Sequence, residues 1–184
     1  YRFNGLGLGE YVDVCTIGKM SQVCACLYTP EMNPKPGLLS GTFVGSTVGL
    51  QVGRRALELL LEGGYYGPEG RINALHAAFR RHASALVEAH PAWFPPVAHP
   101  WGASYGALEP VGGTGGMMRL TPFGGAKEPV VKLLHAMFEH GVVAFYCGHG
   151  PYHLRFLPPV GVMDPAQFEP VFEILERSLA EVAG

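Results

Sequence analysis

The stretch Pro68–His90 sets the strongest constraint on the fold, because Ile72, Leu75, Phe79, Ala83 and Leu86 recur at helical spacing and line one apolar face. Arg71, Arg80, Arg81 and Glu88 fall to the other side. A helix this one-sided is held by packing rather than by its own propensity, so it must lie against a second layer. Three further segments carry the same signature. Ser46–Glu62 repeats apolar residues at Val48, Val52, Ala56, Leu59 and Leu60 and stops at Gly63–Gly64. Glu128–His140 is closed by Gly141, and a last helix runs from Pro165 to about Val182. All four apolar stripes read as core.

Between the helices the pattern changes to that of strands. Val12–Ile17 alternates and is β-branched, which predicts a short buried strand ending at Gly18. Ser21–Tyr28 is a second apolar stretch of strand composition, and its Cys24 and Cys26 share a face that reads as core. Thr29–Gly37 is a proline-rich loop, and Pro91–Gly116, dense in Pro and Gly, shows no clear element. Met117–Phe123 alternates as a strand. Val142–Tyr146 and His153–Phe156 form a strand pair around the turn Gly148–Pro151. Helix, strand, helix, strand, strand, helix describes an α/β or α+β unit.

Composition narrows the function. Apolar residues make up 48% of the 184 residues and charged ones 15%, which excludes disorder. A formal charge of -2 gives no basic field for nucleic acid or an acidic membrane surface. No apolar run is long enough to span a bilayer. The four cysteines lack the spacing of a zinc site or the density of a secreted scaffold, so a reducing cytoplasm is the expected setting. The opening YRFNGLGLGEYVDV runs from a loop straight into a strand-like segment, as the start of a fragment would.

Three segments carry candidate chemistry. Lys19 follows the first strand amid apolar neighbours, where burial would lower its pKa and leave the neutral amine that an aldehyde cofactor needs. The plain alternative is a loop lysine with its amine in water. Ser40–Thr47, SGTFVGST, is a Gly/Ser/Thr-rich turn entering a helix, suited to a phosphate or equally to ordinary capping by Ser46 or Thr47. Arg155 stands in HLRFLPP, where a guanidinium can grip a carboxylate with two parallel donors or serve a structural ion pair. His149 and His153 have metal-like spacing without a further ligand beyond Cys147, and no metal site is assigned. Arg119 reads as a solvated arginine, with a second charged group near the site as the alternative.

In this order, VDVCTIGK (Val12–Lys19), GTFVG (Gly41–Gly45), GMM (Gly116–Met118), Gly141–Val142 and LRFLPP (Leu154–Pro159) resemble the class III aminotransferases, over essentially the whole chain. The resemblance implies the end of a fold type I large domain over 1–62, with its connecting helix, then a small C-terminal α+β domain over 63–184. It implies pyridoxal 5′-phosphate as cofactor. Lys19 matches the lysine in Schiff-base linkage to that cofactor. Thr42 matches the threonine that binds its phosphate across a homodimer interface, and Arg155 the arginine that pairs with a substrate carboxylate. The partners implied are an amino donor and a 2-oxo acid. GKMSQVCAC is more like the lysine ε-aminotransferases than the acetylornithine type, pointing to an ω-amino donor.

Two departures stand out: Ser46 replaces the family's Asn after Gly45, and Trp101–Gly115 is longer than the usual connection. Such an enzyme also needs an acidic partner for the pyridine nitrogen, an aromatic group over the ring and a main phosphate loop. The resemblance places these upstream of Lys19, outside this chain, so the 184 residues alone are expected to be inactive. A decarboxylase or racemase would use the same lysine, and a catalytically incomplete domain serving dimerisation or binding is the non-enzymatic alternative.

Overall fold

A computed structural model describes residues 8–41 and 45–184. The chain divides into two compact units, Tyr1–Gly64 and Tyr65–Gly184.

In the first unit, β1 (Val14–Ile17) and β2 (Ala25–Tyr28) pair antiparallel, with Val14 opposite Tyr28 and Ile17 opposite Ala25. Both strands are shorter than their apolar runs because the chain turns between them in a 3-10 helix over Lys19–Ser21. Helix α1 (Thr47–Glu62) packs against that turn. Three expectations fail here. β1 alternates between exposed and half-buried residues rather than being buried, Cys24 and Cys26 are exposed, and only Gly53 is buried on α1. Val48 is 74% exposed and Leu59 49%, so the α1 stripe is an apolar face but no core within this unit. A two-stranded sheet is too small to bury both its own faces and a helix.

The second unit is a two-layer α+β sandwich. Strands β5 (Val111–Thr114), β6 (Met117–Leu120), β7 (Phe145–Cys147) and β8 (His153–Phe156) form an antiparallel sheet in the order β5-β6-β8-β7. Three helices, α2 (Arg71–Ala89), α3 (Lys127–Glu139) and α4 (Phe168–Ala183), share one core with the sheet residues Met118, Leu120, Leu154 and Phe156. The α2 stripe is buried as its period requires, with Leu75, Phe79 and Ala83 wholly inside. Phe79 is the hub, with ring centroids 5.3 Å from Phe156, 5.9 Å from Phe168 and 5.7 Å from Phe172.

Ends and loops are fixed by polar contacts. A capping box starts the last helical segment: the Ala166 amide donates to Asp164 Oδ1 (2.9 Å), and the Asp164 amide donates to Gln167 Oε1 (2.7 Å). At the start of α2, Arg71 donates from Nε to the Val160 carbonyl (2.6 Å) and from Nη2 to that of Met163 (2.7 Å). The segment with no clear sequence pattern holds β5 and a small hairpin of β3 (Val97–Ala98) and β4 (Ala107–Leu108). These strands are too short and too glycine-rich to show an alternating pattern. At the hairpin tip, His99 stacks on Tyr105 with Trp101 edge-on to both.

Candidate functional site

The Lys19 turn is built to be rigid. Lys19 has φ 63 and Gln22 φ 59, left-handed values that cost a residue with a side chain of order 1–3 kcal/mol each. The Gln22 amide donates to the Lys19 carbonyl (2.9 Å), and the buried Ser21 hydroxyl donates to that of Val23 (2.7 Å). Helix α1 closes on this turn at Gly53, where a Cβ would stand 2.6 Å from the Ser21 carbonyl oxygen. No larger residue allows that approach.

Lys19 itself is exposed. The expectation of a desolvated amine is therefore corrected: the apolar neighbours in sequence belong to strands that lead away from the turn, and the side chain stands outside them. Among the described residues, no hydrogen bond or ion pair engages its amine. Thr42 lies outside the described residues. Ser46 occupies the N-cap of α1 without a capping side-chain bond, so it does not fill the capping role that competed with phosphate binding. The helix start lies about 9 Å along the axis from Gly53. Against the cofactor the resemblance implies, these residues fit in part: an amine unengaged among the described residues, on a fixed turn, and a helix N-terminus that Ser46 does not cap suit an aldehyde and an anionic group.

Arg155 belongs to the second unit, on the sheet face opposite the helices. There the antiparallel register sets Arg155 between Arg119 of β6 and Phe145 of β7, and sets Cys147 opposite His153. Two like charges directly opposed across strands are unfavourable, and the side chains lean apart. The Arg119 guanidinium lies over Gly112 of β5, where a Cβ would meet it at 2.6 Å. The Arg155 guanidinium lies 5.6 Å from the centre of the Phe145 ring. Among the described residues, Arg155 Nε is buried without a partner and no ion pair includes this side chain. A structural salt bridge, the competing role for this arginine, is absent from the described residues. A half-buried guanidinium with a stranded donor is a group prepared for an anion.

Arg119 is not the solvated arginine its sequence position suggests. Its Nη1 donates to the Glu109 carbonyl (2.9 Å) and to Thr121 Oγ1 (2.9 Å), and Thr121 Oγ1 lies 2.8 Å from His153 Nδ1. Burial lowers the Arg119 pKa against the opposing pull of Cys147 and Glu109. Burial, then Arg119, lowers that of His153. Burial raises the Cys147 thiol, against the pull of Arg155 and Arg119. His149 lies before β8, within the turn expected over Gly148–Pro151, and so stands off the strand that carries His153. Gly53, Gly112 and Thr121 escape a reading by residue chemistry, because their roles are set by what the fold brings against them: the Ser21 carbonyl, the Arg119 guanidinium, and the Arg119 and His153 side chains. The one visible hint is that Arg119 and Thr121 alternate with apolar Met118 and Leu120.

No family model and no curated protein matches the sequence. Solved structures do match. A transaminase obtained by directed evolution through ancestral reconstruction superposes with a TM-score of 0.71 at 19% identity, covering 99% of this chain and 41% of that one. The fold is that of the C-terminal portion of class III aminotransferases. Ornithine delta-aminotransferase of Plasmodium falciparum matches at 0.67 and 16% identity, over 96% of this chain and 43% of that one. Lysine aminotransferase of M. tuberculosis, in its internal aldimine form, matches at 0.66 and 20%, over 92% and 36%. The chain thus spans 36% to 43% of the length of these aminotransferases, and the expected fold class, the end of a fold type I domain with a small α+β domain, is the one observed. Among the described residues, no helix is long and apolar enough to cross a membrane.

Proposed function

We propose that this chain supplies the lysine and the carboxylate-binding arginine of a pyridoxal-phosphate-dependent aminotransferase that moves an amino group from an amino acid or ω-amine to a 2-oxo acid. The observation that carries this is Lys19: an exposed amine, unengaged among the described residues, on a left-handed turn that Gly53 clamps, in a fold shared with aminotransferases. Backbone strain held in place by packing marks a residue whose position matters.

Lys19 would hold the cofactor through its amine, and Thr42 together with the α1 N-terminus would take its phosphate. When bound, that group supplies an electron sink for charge developing on the substrate carbon. The rest falls to the chain itself. Arg155 orients the substrate by its carboxylate through two parallel N–H donors. The Lys19 amine, once released, takes a proton from the substrate carbon and returns one. We place this phosphate contact across a homodimer, in which Thr42 reaches the cofactor held in the neighbouring subunit.

The test is covalent. After incubation with pyridoxal phosphate and reduction with borohydride, peptide mapping by mass spectrometry should find the pyridoxyl mass on Lys19 in the whole protein, and Lys19→Ala should carry none. A label distributed over Lys35, Lys127 and Lys132 as heavily as over Lys19 would refute the assignment.

A further inference from the structure

The relay Arg119–Thr121–His153 has no role in the reading above, yet it is the most ordered polar arrangement on the sheet face that carries Arg155. Thr121 is buried, at 1% exposure, so its hydroxyl proton needs a protein acceptor. Its oxygen already accepts from Arg119 Nη1 (2.9 Å), and among the described residues the remaining hydrogen-bond partner is His153 Nδ1 at 2.8 Å. The Thr121 hydroxyl therefore donates to Nδ1, which must carry a lone pair. The imidazole is then neutral, with its hydrogen on Nε2. Nε2 makes no hydrogen bond among the described residues. His153 and Arg155 are two residues apart on one strand, on the same face and about 7 Å apart along it. Arg119 does not compete for the same ligand, since Gly112 lets its guanidinium fold over β5 and the Glu109 carbonyl ties it there.

We propose that His153 is a second ligand-binding group beside Arg155, a neutral imidazole whose Nε2–H donates to the carboxylate that Arg155 grips, with Arg119 and Thr121 as its positioning residues. The inference rests on the carboxylate role proposed for Arg155. It adds a neutral donor where a second cation would repel the first, and it makes the site selective for a carboxylate that accepts from two directions.

Two-bond proton–nitrogen NMR of the chain near pH 7.5, with and without propionate as the probe, tests it. Free His153 should show its hydrogen on Nε2; Thr121→Val should lose that preference and Thr121→Ser should keep it. Propionate should shift both the His153 ring and Arg155 Nε signals. Thr121→Val should weaken propionate by about three- to tenfold, the worth of one hydrogen bond, and Arg155→Gln should abolish the response. A hydrogen on Nδ1, or a His153 ring unmoved while Arg155 Nε responds, overturns the inference and leaves the role of Arg155 standing. Silence at both residues overturns both.

Discussion

Gly53 and Gly49 lie one turn apart on α1, and the same substitution should act on them with opposite sign. In the interior of a helix, Gly→Ala ordinarily stabilises by about 0.5–1 kcal/mol. At Gly49 nothing opposes this gain: the nearest atom to an added Cβ is Val23 Cγ1 at 3.5 Å, an ordinary contact. At Gly53 the Cβ would stand 2.6 Å from the Ser21 carbonyl oxygen and 3.2 Å from Val23 Cγ2. The carbonyl belongs to the turn whose left-handed Lys19 leaves it little freedom to retreat, so helix and turn must separate. Overpacking of this kind costs about 1–3 kcal/mol. Set against the propensity gain, Gly53→Ala should destabilise α1 by about 1–2 kcal/mol, while Gly49→Ala stabilises it. Native-state hydrogen exchange of the α1 amides reads the difference locally: about tenfold faster exchange in the first variant, slower exchange in the second. If Gly53→Ala slowed exchange as Gly49→Ala does, the clamp on the Lys19 turn would not exist.

Two further outcomes follow from the second unit. Phe79→Ala should cost about 3–5 kcal/mol in urea denaturation followed by circular dichroism, because the wholly buried ring meets Phe156, Phe168 and Phe172; a loss under about 1 kcal/mol would mean the core closes over the gap. His153, facing Arg119, Arg155 and Cys147, has its folded-state pKa lowered by burial and by Arg119 from the ordinary 6.5. The unfolded chain then takes up the proton first, so this group's contribution is intact above 6.5 and is lost as pH falls below it towards the lowered value. His153→Asn should flatten that part of the stability–pH curve, and an unchanged slope would place the titration elsewhere.

The helices of the second unit were legible in the sequence because each has a one-sided stripe that finds a sheet to cover. The same periodicity misled for α1, whose stripe is as clear as that of α2 but stays exposed within its own unit. Periodicity reports that a face is apolar; it does not report what lies against it. Lys19 and Arg155 were legible as candidates through their order in the chain, but the reasons they are placed as they are lie elsewhere. The left-handed turn depends on Gly53, far along the chain, and the freedom of Arg155 from Arg119 depends on Gly112. Glycine carries no chemistry to read, so contacts made possible by its missing side chain show only once the backbones are brought together. The strands β3 and β4 were hidden because two residues cannot display an alternation, and β5 because two of its four residues are glycines.

Arg71 holds the loop after β8 by two peptide oxygens, those of Val160 and Met163. A carbonyl is the same on every residue, so this anchor is indifferent to which side chains the loop carries. The path between β8 and α4 is therefore specified by one arginine on a different helix and by the capping box that follows it. Related proteins could rewrite the side chains at 160 and 163 and keep the same route into α4, whereas a change at Arg71 would release the loop with its sequence untouched.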